Sequence, residues 1–273
     1  MDYTLNIKGR LMSLQTPVVM GILNATPDSF FAGSRVQTEA EIARRADAIV
    51  GEGGTIIDVG AYSTRPGATD VTEADEMERL RMALAVVRRQ QPEVAVSVDT
   101  FRPDVARMAV EEFGVDIVND VSEGEHPAMF RMVARLGVPY VLMSVQPDLR
   151  STLLTFARKV QMLRDYGQKD IILDPGFGFG KTLEQNYELM SQLEKLQVMD
   201  LPVLVGISRK SMISRVLQCQ PDGALAGTIT LNTIALMKGA SILRVHDVRE
   251  AVECVKVWAF NRKIVNSKSS NSK

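Results

Sequence analysis

Short apolar runs rich in β-branched residues recur along the chain, separated by longer segments of helical periodicity. The runs cover 18–23, 55–59, 95–98, 116–118, 140–143, 171–173, 203–207 and 242–245. Their near-continuous apolar character, without alternation, predicts parallel strands buried on both faces. Between them, Thr38 is read as opening a helix, with Glu41 three residues on completing a capping box. Thr72 and Asp75 predict a similar start before Leu80, Leu84 and Val87, while Pro103 suits a first helical turn and Gly114 a helix stop. Strand followed by helix, repeated eight times in about 250 residues, is the arithmetic of a (β/α)₈ barrel, an α/β fold.

Two other layouts compete. A doubly wound sheet alternates too, but usually with fewer strands and a glycine-rich turn after the first. Two domains would need a linker, and no Pro/Ser/Gly-rich break interrupts the interior, so residues 1–265 are read as a single domain. Residues 3–7 and 11–14 alternate around Lys8-Gly9-Arg10, predicting a small hairpin that closes the barrel's bottom. Residues 266–273, made of Ser, Lys and Asn, are expected to be disordered.

Composition narrows the chemistry. The 273 residues carry a formal net charge of −1, which predicts no sequence-independent grip on nucleic acid or an anionic membrane. No apolar run approaches the roughly 18–20 residues that span a bilayer. The opening residues lack the basic-then-apolar layout of a signal peptide, so a cytoplasmic location is expected. Two cysteines, Cys219 and Cys254, cannot build a disulfide framework, and two histidines, His126 and His246, do not suggest a histidine zinc cage. Small-molecule chemistry is the leading prospect.

Each apolar run ends in, or is closely followed by, a polar residue: Asn24, Asp58, Asp99, Asn119, Ser144, Asp174, Ser208 and His246. A single one could simply cap the next helix. In a (β/α)₈ barrel, however, all strand carboxyl ends converge on one mouth. Asp99 and Asp174 follow strongly apolar residues and would need donors there. Basic residues gather at two strand ends, Ser208-Arg209-Lys210-Ser211 and Arg244-Val245-His246, where this fold often builds an anion site. A phosphorylated substrate follows, with Asn24 able to add an oxygen ligand for Mg²⁺. Gly176-Phe177-Gly178-Phe179-Gly180-Lys181-Thr182 ends like a phosphate-binding P-loop, yet the first required glycine falls on Pro175, which has no amide donor. Gly206-Ile207-Ser208-Arg209-Lys210 lacks the second glycine of a serine-hydrolase elbow.

Several longer words of the sequence carry a resemblance. They are Gly21-Ile22-Leu23-Asn24-Ala25-Thr26-Pro27-Asp28-Ser29-Phe30, Asp58-Val59-Gly60-Ala61-Tyr62-Ser63-Thr64-Arg65-Pro66-Gly67 and Ser97-Val98-Asp99-Thr100. Further on stand Asn119-Asp120-Val121-Ser122, Leu173-Asp174-Pro175-Gly176-Phe177-Gly178-Phe179-Gly180-Lys181, Gly206-Ile207-Ser208-Arg209-Lys210-Ser211 and Leu243-Arg244-Val245-His246-Asp247-Val248. In this order, from about Val18 to the last helix, the chain resembles the dihydropteroate synthase family.

The resemblance implies a TIM barrel, commonly a homodimer and a sulfonamide target. The implied reaction joins 6-hydroxymethyl-7,8-dihydropterin pyrophosphate to p-aminobenzoate, releasing pyrophosphate and 7,8-dihydropteroate. It implies that Asp99, Asn119, Asp174 and Lys210 line a pterin pocket, with Met143 and Gly206 among the substrate contacts. Arg244, His246 and Ser63 would hold the pyrophosphate, with Asn24 on its Mg²⁺. Phe30, Thr64, Arg65, Pro66, Phe179, Lys210 and Ser211 would enclose the p-aminobenzoate slot. Asp99, Asp174, Lys210 and Arg65 are the implied catalytic set.

Three positions depart from the family pattern: Ala32 where an aspartate is usual, Tyr62 where glutamate is usual, and Ser144 where histidine is usual. Rival readings are a methyltransferase domain sharing the pterin barrel, and a non-catalytic paralogue. The basic strand-end segments argue against the first; the loss at Ala32 is the one feature favouring the second.

Overall fold

The computed structural model describes residues 2–25, 35–62 and 71–270. Strands β1 (Thr4–Ile7) and β2 (Arg10–Ser13) pair antiparallel, the hairpin expected from the alternation. Its two turn residues, Lys8 and Gly9, have φ of 51° and 78°, the double left-handed turn whose twist matches a two-residue hairpin.

All eight apolar runs become parallel strands: β3 (Val18–Asn24), β4 (Ile56–Gly60), β5 (Ala95–Asp99), β6 (Ile117–Asp120), β7 (Tyr140–Met143), β8 (Ile171–Asp174), β9 (Leu204–Val205) and β10 (Ile242–Val245). They pair in the order β8-β7-β6-β5-β4-β3-β10-β9, and a parallel bridge between Leu173 and Val203 joins the two ends into a barrel. The helices are α1 (Arg35–Gly51), α2 (Glu73–Gln90), α3 (Pro103–Phe113), α4 (Met129–Leu136), α5 (Leu149–Asp165), α6 (Leu183–Ser191), α7 (Ser211–Leu217), α8 (Leu225–Met237) and α9 (Val248–Ser270).

Several helix ends follow the sequence signals. The Thr72 side chain accepts from the Asp75 amide, Pro103 opens α3, and Gly114 closes it in the left-handed conformation at φ 59°. Two expectations need correcting. The first helix begins at Arg35, so Thr38 lies inside it rather than capping it. The capping box is at Thr182 and Gln185, ahead of α6. The C-terminal helix also runs through Asn266 to Ser270, where disorder was expected. Neither Gly nor Pro interrupts that stretch, and extending an existing helix by a residue is far easier than starting one.

Period-two alternation sorts each strand into two faces. Val19, Leu23, Ile57, Val59, Val96, Val98, Val118, Leu142, Leu173, Val205, Leu243 and Val245 pack outward against the helices. Gly21 lets α1 approach, since a Cβ there would lie 2.6 Å from Ile49. The inward face at the amino-terminal ends is a separate apolar layer: Met20, Ile56, Ala95, Ile117, Val141, Ile172, Leu204 and Ile242, sealed by Leu5 and Leu14 beside the hairpin strands. Burying each larger one contributes about 1.5–3 kcal/mol. Among the described residues, no helix is long and apolar enough to cross a membrane.

Candidate active site

Two residues beyond that apolar layer, the inward positions of several strands turn polar, while Ile22 and Met143 stay apolar. Asp58 follows Ile56, Asn119 follows Ile117, Asp174 follows Ile172 and Arg244 follows Ile242; Asp99 stands at the end of β5 and Asn24 at the end of β3. The side chains meet across the barrel. Arg244 donates from Nε to Asp58 Oδ2 and from a terminal nitrogen to Asp99 Oδ2, both at 2.6 Å. Asn119 donates from Nδ2 to the same Asp58 oxygen at 3.2 Å. Asp174 Oδ1 accepts from the Gly176 amide at 2.7 Å, while its Oδ2 takes no hydrogen bond among the described residues. Asp58 Oδ1 and Asn119 Oδ1 are buried and meet no donor among the described residues. The mouth therefore presents acceptors that a donor-bearing ligand edge could satisfy.

One guanidinium serves two carboxylates, and the electrostatics reflect that shortage. Burial pushes the Asp99 carboxyl up to about 7; Arg244 opposes the rise, while Asp58, Glu76 and Asp120 add to it. Burial likewise raises Asp174, against the pull of Lys210 and the Gly176 amide. Burial alone would lower the Arg244 value, but Asp58 and Asp99 overcome it and hold the guanidinium above its ordinary range. Lys210 falls to about 8, chiefly through burial, with Asp174 pulling the other way and Arg244 and Lys181 adding to the fall.

The loop after β8 covers one side. Lys210 Nζ donates to the Phe177 carbonyl at 2.5 Å and sits 4.5 Å from the centre of the Phe179 ring. Gly176 has φ 69°, and a Cβ there would lie 1.9 Å from the Ser144 carbonyl oxygen, so only glycine fits. Gly206 is buried on β9's inward phase, Met143 is buried on that of β7, and Ser211 is exposed at the first position of α7. His246 follows β10; its backbone amide donates to Ser208 Oγ at 3.2 Å, and its carbonyl accepts from Arg45 at 2.7 Å.

The structure thus brings Asp99, Asn119, Asp174, Lys210, Phe179 and Arg244 around one mouth, with Asn24 and His246 at neighbouring strand ends. Not every polar strand end joins them. Ser144 has the outward phase of β7, and its hydroxyl donates to Glu123 Oε1 at 3.2 Å. Arg209, part of the basic segment, turns away to grip Asp247 through two hydrogen bonds of 2.8 and 2.9 Å, tying two loops together. Phe30, Ala32, Ser63, Thr64, Arg65 and Pro66 lie outside the described residues.

Sequence reasoning gave Asp58 no role of its own, although it is the residue that orients Arg244 and Asn119; its place in an apolar strand was the available signal. It also missed Arg102. That side chain pairs with buried Glu76 at 2.5 Å, donates to the Val71 carbonyl at 2.7 Å and lies 5.4 Å from the Tyr62 ring centre.

Comparison with known proteins agrees with this geometry. Residues 20–246 match the family described as "Pterin binding enzyme". The chain is 37% identical over 265 residues to dihydropteroate synthase of Escherichia coli strain K12, covering 92% of this chain and 93% of that protein. Identity to the Bacillus subtilis strain 168 enzyme is 38% over 252 residues, with 88% and 87% covered. Among solved structures, Xanthomonas albilineans dihydropteroate synthase with 4-aminobenzoic acid superposes with a TM-score of 0.90 at 34% identity, covering 96% and 99%. The Yersinia pestis enzyme with a pterine-sulfa conjugate gives 0.84 at 32%, covering 96% and 99%. A barrel mouth lined with buried acids, an amide and paired cations, in a sequence this close to these relatives, places the chain in the pterin-binding enzyme family, among the dihydropteroate synthases.

Proposed function

We propose that this mouth performs the dihydropteroate synthase reaction with the pterin held deepest. The observation that carries the reading is the pair of buried acceptors that meet no donor among the described residues, Asp58 Oδ1 and Asn119 Oδ1, together with the Oδ2 of buried Asp174, which takes no hydrogen bond among them. A pterin edge offers adjacent N–H donors, and a carboxylate can accept two in parallel. Asp174 takes the guanidine-like edge, Asn119 supports it, and Lys210 donates to the ring carbonyl. Arg244 makes no hydrogen bond through its second terminal nitrogen among the described residues, leaving donors for the diphosphate. His246 and Ser63 complete that subsite. Phe179, Lys210 and Ser211, with Phe30, Thr64, Arg65 and Pro66, flank p-aminobenzoate, and Met143 and Gly206 shape the floor beneath.

The chemistry needs no protein nucleophile. The bond between the pterin methylene and the diphosphate oxygen breaks first, and the electron pair leaves with pyrophosphate. The ring-stabilised cation is then attacked by the amine nitrogen of p-aminobenzoate, which sheds a proton as the new C–N bond forms. Arg244 and His246 stabilise charge on the departing group. Asp99, close to Arg244, balances positive charge nearby. The side chains that close the slot keep water from the cation.

Asn24, exposed at the end of β3, offers a hard amide oxygen. A single protein oxygen suits Mg²⁺, which keeps several waters and takes substrate phosphate oxygens for the rest of its octahedron. When bound, Mg²⁺ would neutralise charge developing on the leaving diphosphate. The exposed Val257, Phe260 and Ile264 of α9, spaced along one face, give a second copy of the chain an apolar surface to form a homodimer.

The test is direct. Incubation with the pterin pyrophosphate, Mg²⁺ and p-aminobenzoate is expected to release pyrophosphate and form dihydropteroate in equal amounts. Stoichiometric binding without turnover would instead mark a non-catalytic paralogue.

A further inference from the structure

The segment that imitates a phosphate-binding loop has the opposite polarity in the structure. In a P-loop, backbone amides converge on an anion. Here backbone carbonyls converge on a cation. Lys181 Nζ donates to Ser144 O at 3.2 Å, Gly176 O at 3.0 Å and Phe179 O at 3.2 Å. An ammonium has three protons, and all three are used, so none remains for a phosphate.

The loop it gathers is intrinsically loose. Gly176, Gly178 and Gly180 take positive φ of 69°, 80° and 61°, and each such glycine gives up more backbone freedom on ordering than other residues do. Besides the buried Phe177 side chain, the remaining ties are hydrogen bonds: Gly176 N to Asp174 Oδ1, Gly178 N to Asn186 Oδ1 at 2.7 Å, and Phe179 N to Gly176 O at 3.1 Å. Yet this loop supplies the Phe177 carbonyl that receives Lys210 and the Phe179 ring beneath its ammonium.

We infer that Lys181 is a positioning residue for the p-aminobenzoate side of the site: by drawing Ser144, Gly176 and Phe179 carbonyls onto one ammonium, it fixes the 176–180 loop so that Phe177 and Phe179 hold Lys210 in place. Removing it leaves three carbonyls short of a donor and frees a glycine-rich loop. Lys181 itself contacts no substrate. The choice of substrate rests on the functional reading above; the ordering of the loop does not. Burial lowers the Lys181 value to about 8, with Asp174 and Glu123 opposing the fall, so the ammonium persists at neutral pH.

Lys181→Met tests the inference at two levels. In hydrogen exchange, without any substrate, the amides of 176–180 are expected to exchange about tenfold faster while those of β3 stay unchanged. In steady-state kinetics the KM for p-aminobenzoate is expected to rise about tenfold, more than the accompanying loss of calorimetric affinity for the pterin, which Lys210 also contacts. In a Phe179→Ala background, where the ring has already gone, the further effect of Lys181→Met on that KM is expected to stay below about threefold.

Unchanged loop exchange would overturn the proposal whether or not the chain turns over substrate. So would a rise confined to the KM of the pyrophosphate ester, which would make Lys181 an anion ligand, or full additivity with Phe179→Ala. Should Lys181→Met not fold, Lys181→Gln keeps amide donors without the charge. It is expected to show accelerated loop exchange and a raised p-aminobenzoate KM, and wild-type values for both would overturn the proposal.

Discussion

On the lower half of the barrel's inner face, Ile56, Ile117, Ile172 and Ile242 meet one another and Leu5 and Leu14. On the upper half the next inward residues of the same strands are Asp58, Asn119, Asp174 and Arg244. Two residues of strand, about 6–7 Å, separate the layers. The lower layer gains free energy from area removed from water and requires no particular partner. The upper layer is satisfied only by specific pairing: Arg244 pairs with both Asp58 and Asp99, while Lys210 and Lys181, each bonded to backbone carbonyls, act on Asp174 through space. Its value lies in the acceptors it leaves open, and stability there depends on every charge keeping its partner.

The contrast can be broken from either side. The largest effect is expected from Arg244→Met, which strands buried Asp58 and leaves Asp99 without its donor; urea unfolding is expected to show a loss of about 3–5 kcal/mol. A stability equal to wild type would mean the upper layer does not rely on pairing. Ile56→Ala in the lower layer is expected to cost about 2–4 kcal/mol in the same measurement, with turnover per folded molecule unchanged. Altered kcat would show that the two layers are coupled.

Asp174→Asn sharpens the difference further. Calorimetry is expected to show pterin affinity reduced about 100-fold, some 2.7 kcal/mol, with cooperative unfolding intact. Retained affinity would remove Asp174 from the pterin pocket.

Measured per pH unit, the smallest effect is a pH dependence from Asp99. Its value near 7 in the folded chain exceeds the ordinary 3.8, so the folded state holds a proton that the unfolded state has released. The resulting stabilisation is fully present below about pH 4 and fades as pH rises through 7, by at most about 1.4 kcal/mol per pH unit. Urea midpoints measured across that window in wild type and Asp99→Asn are expected to diverge with this sign. Parallel curves would contradict it.

Much of the architecture is legible in the sequence because parallel strands covered on both faces must be apolar almost throughout, and each of the eight runs is a strand. The second helix start is legible because Thr72 and Asp75 are local partners. The site is legible only in part. Ser144 and Asp174 both stand at strand ends, but only register decides that one faces the helices and the other the interior. Arg244 and Asp58 meet across 186 positions of chain, which no local pattern encodes. Arg209 and Lys210 are adjacent and alike in charge, yet one is bound to Asp247 and the other covers the mouth.

The hairpin floor has a consequence for traffic. With Leu5 and Leu14 seated against the lower layer, the interior is a well rather than a tunnel. Whatever is bound at the depth of Asp58 and Asn119 has to enter before anything settles above it, and it departs last.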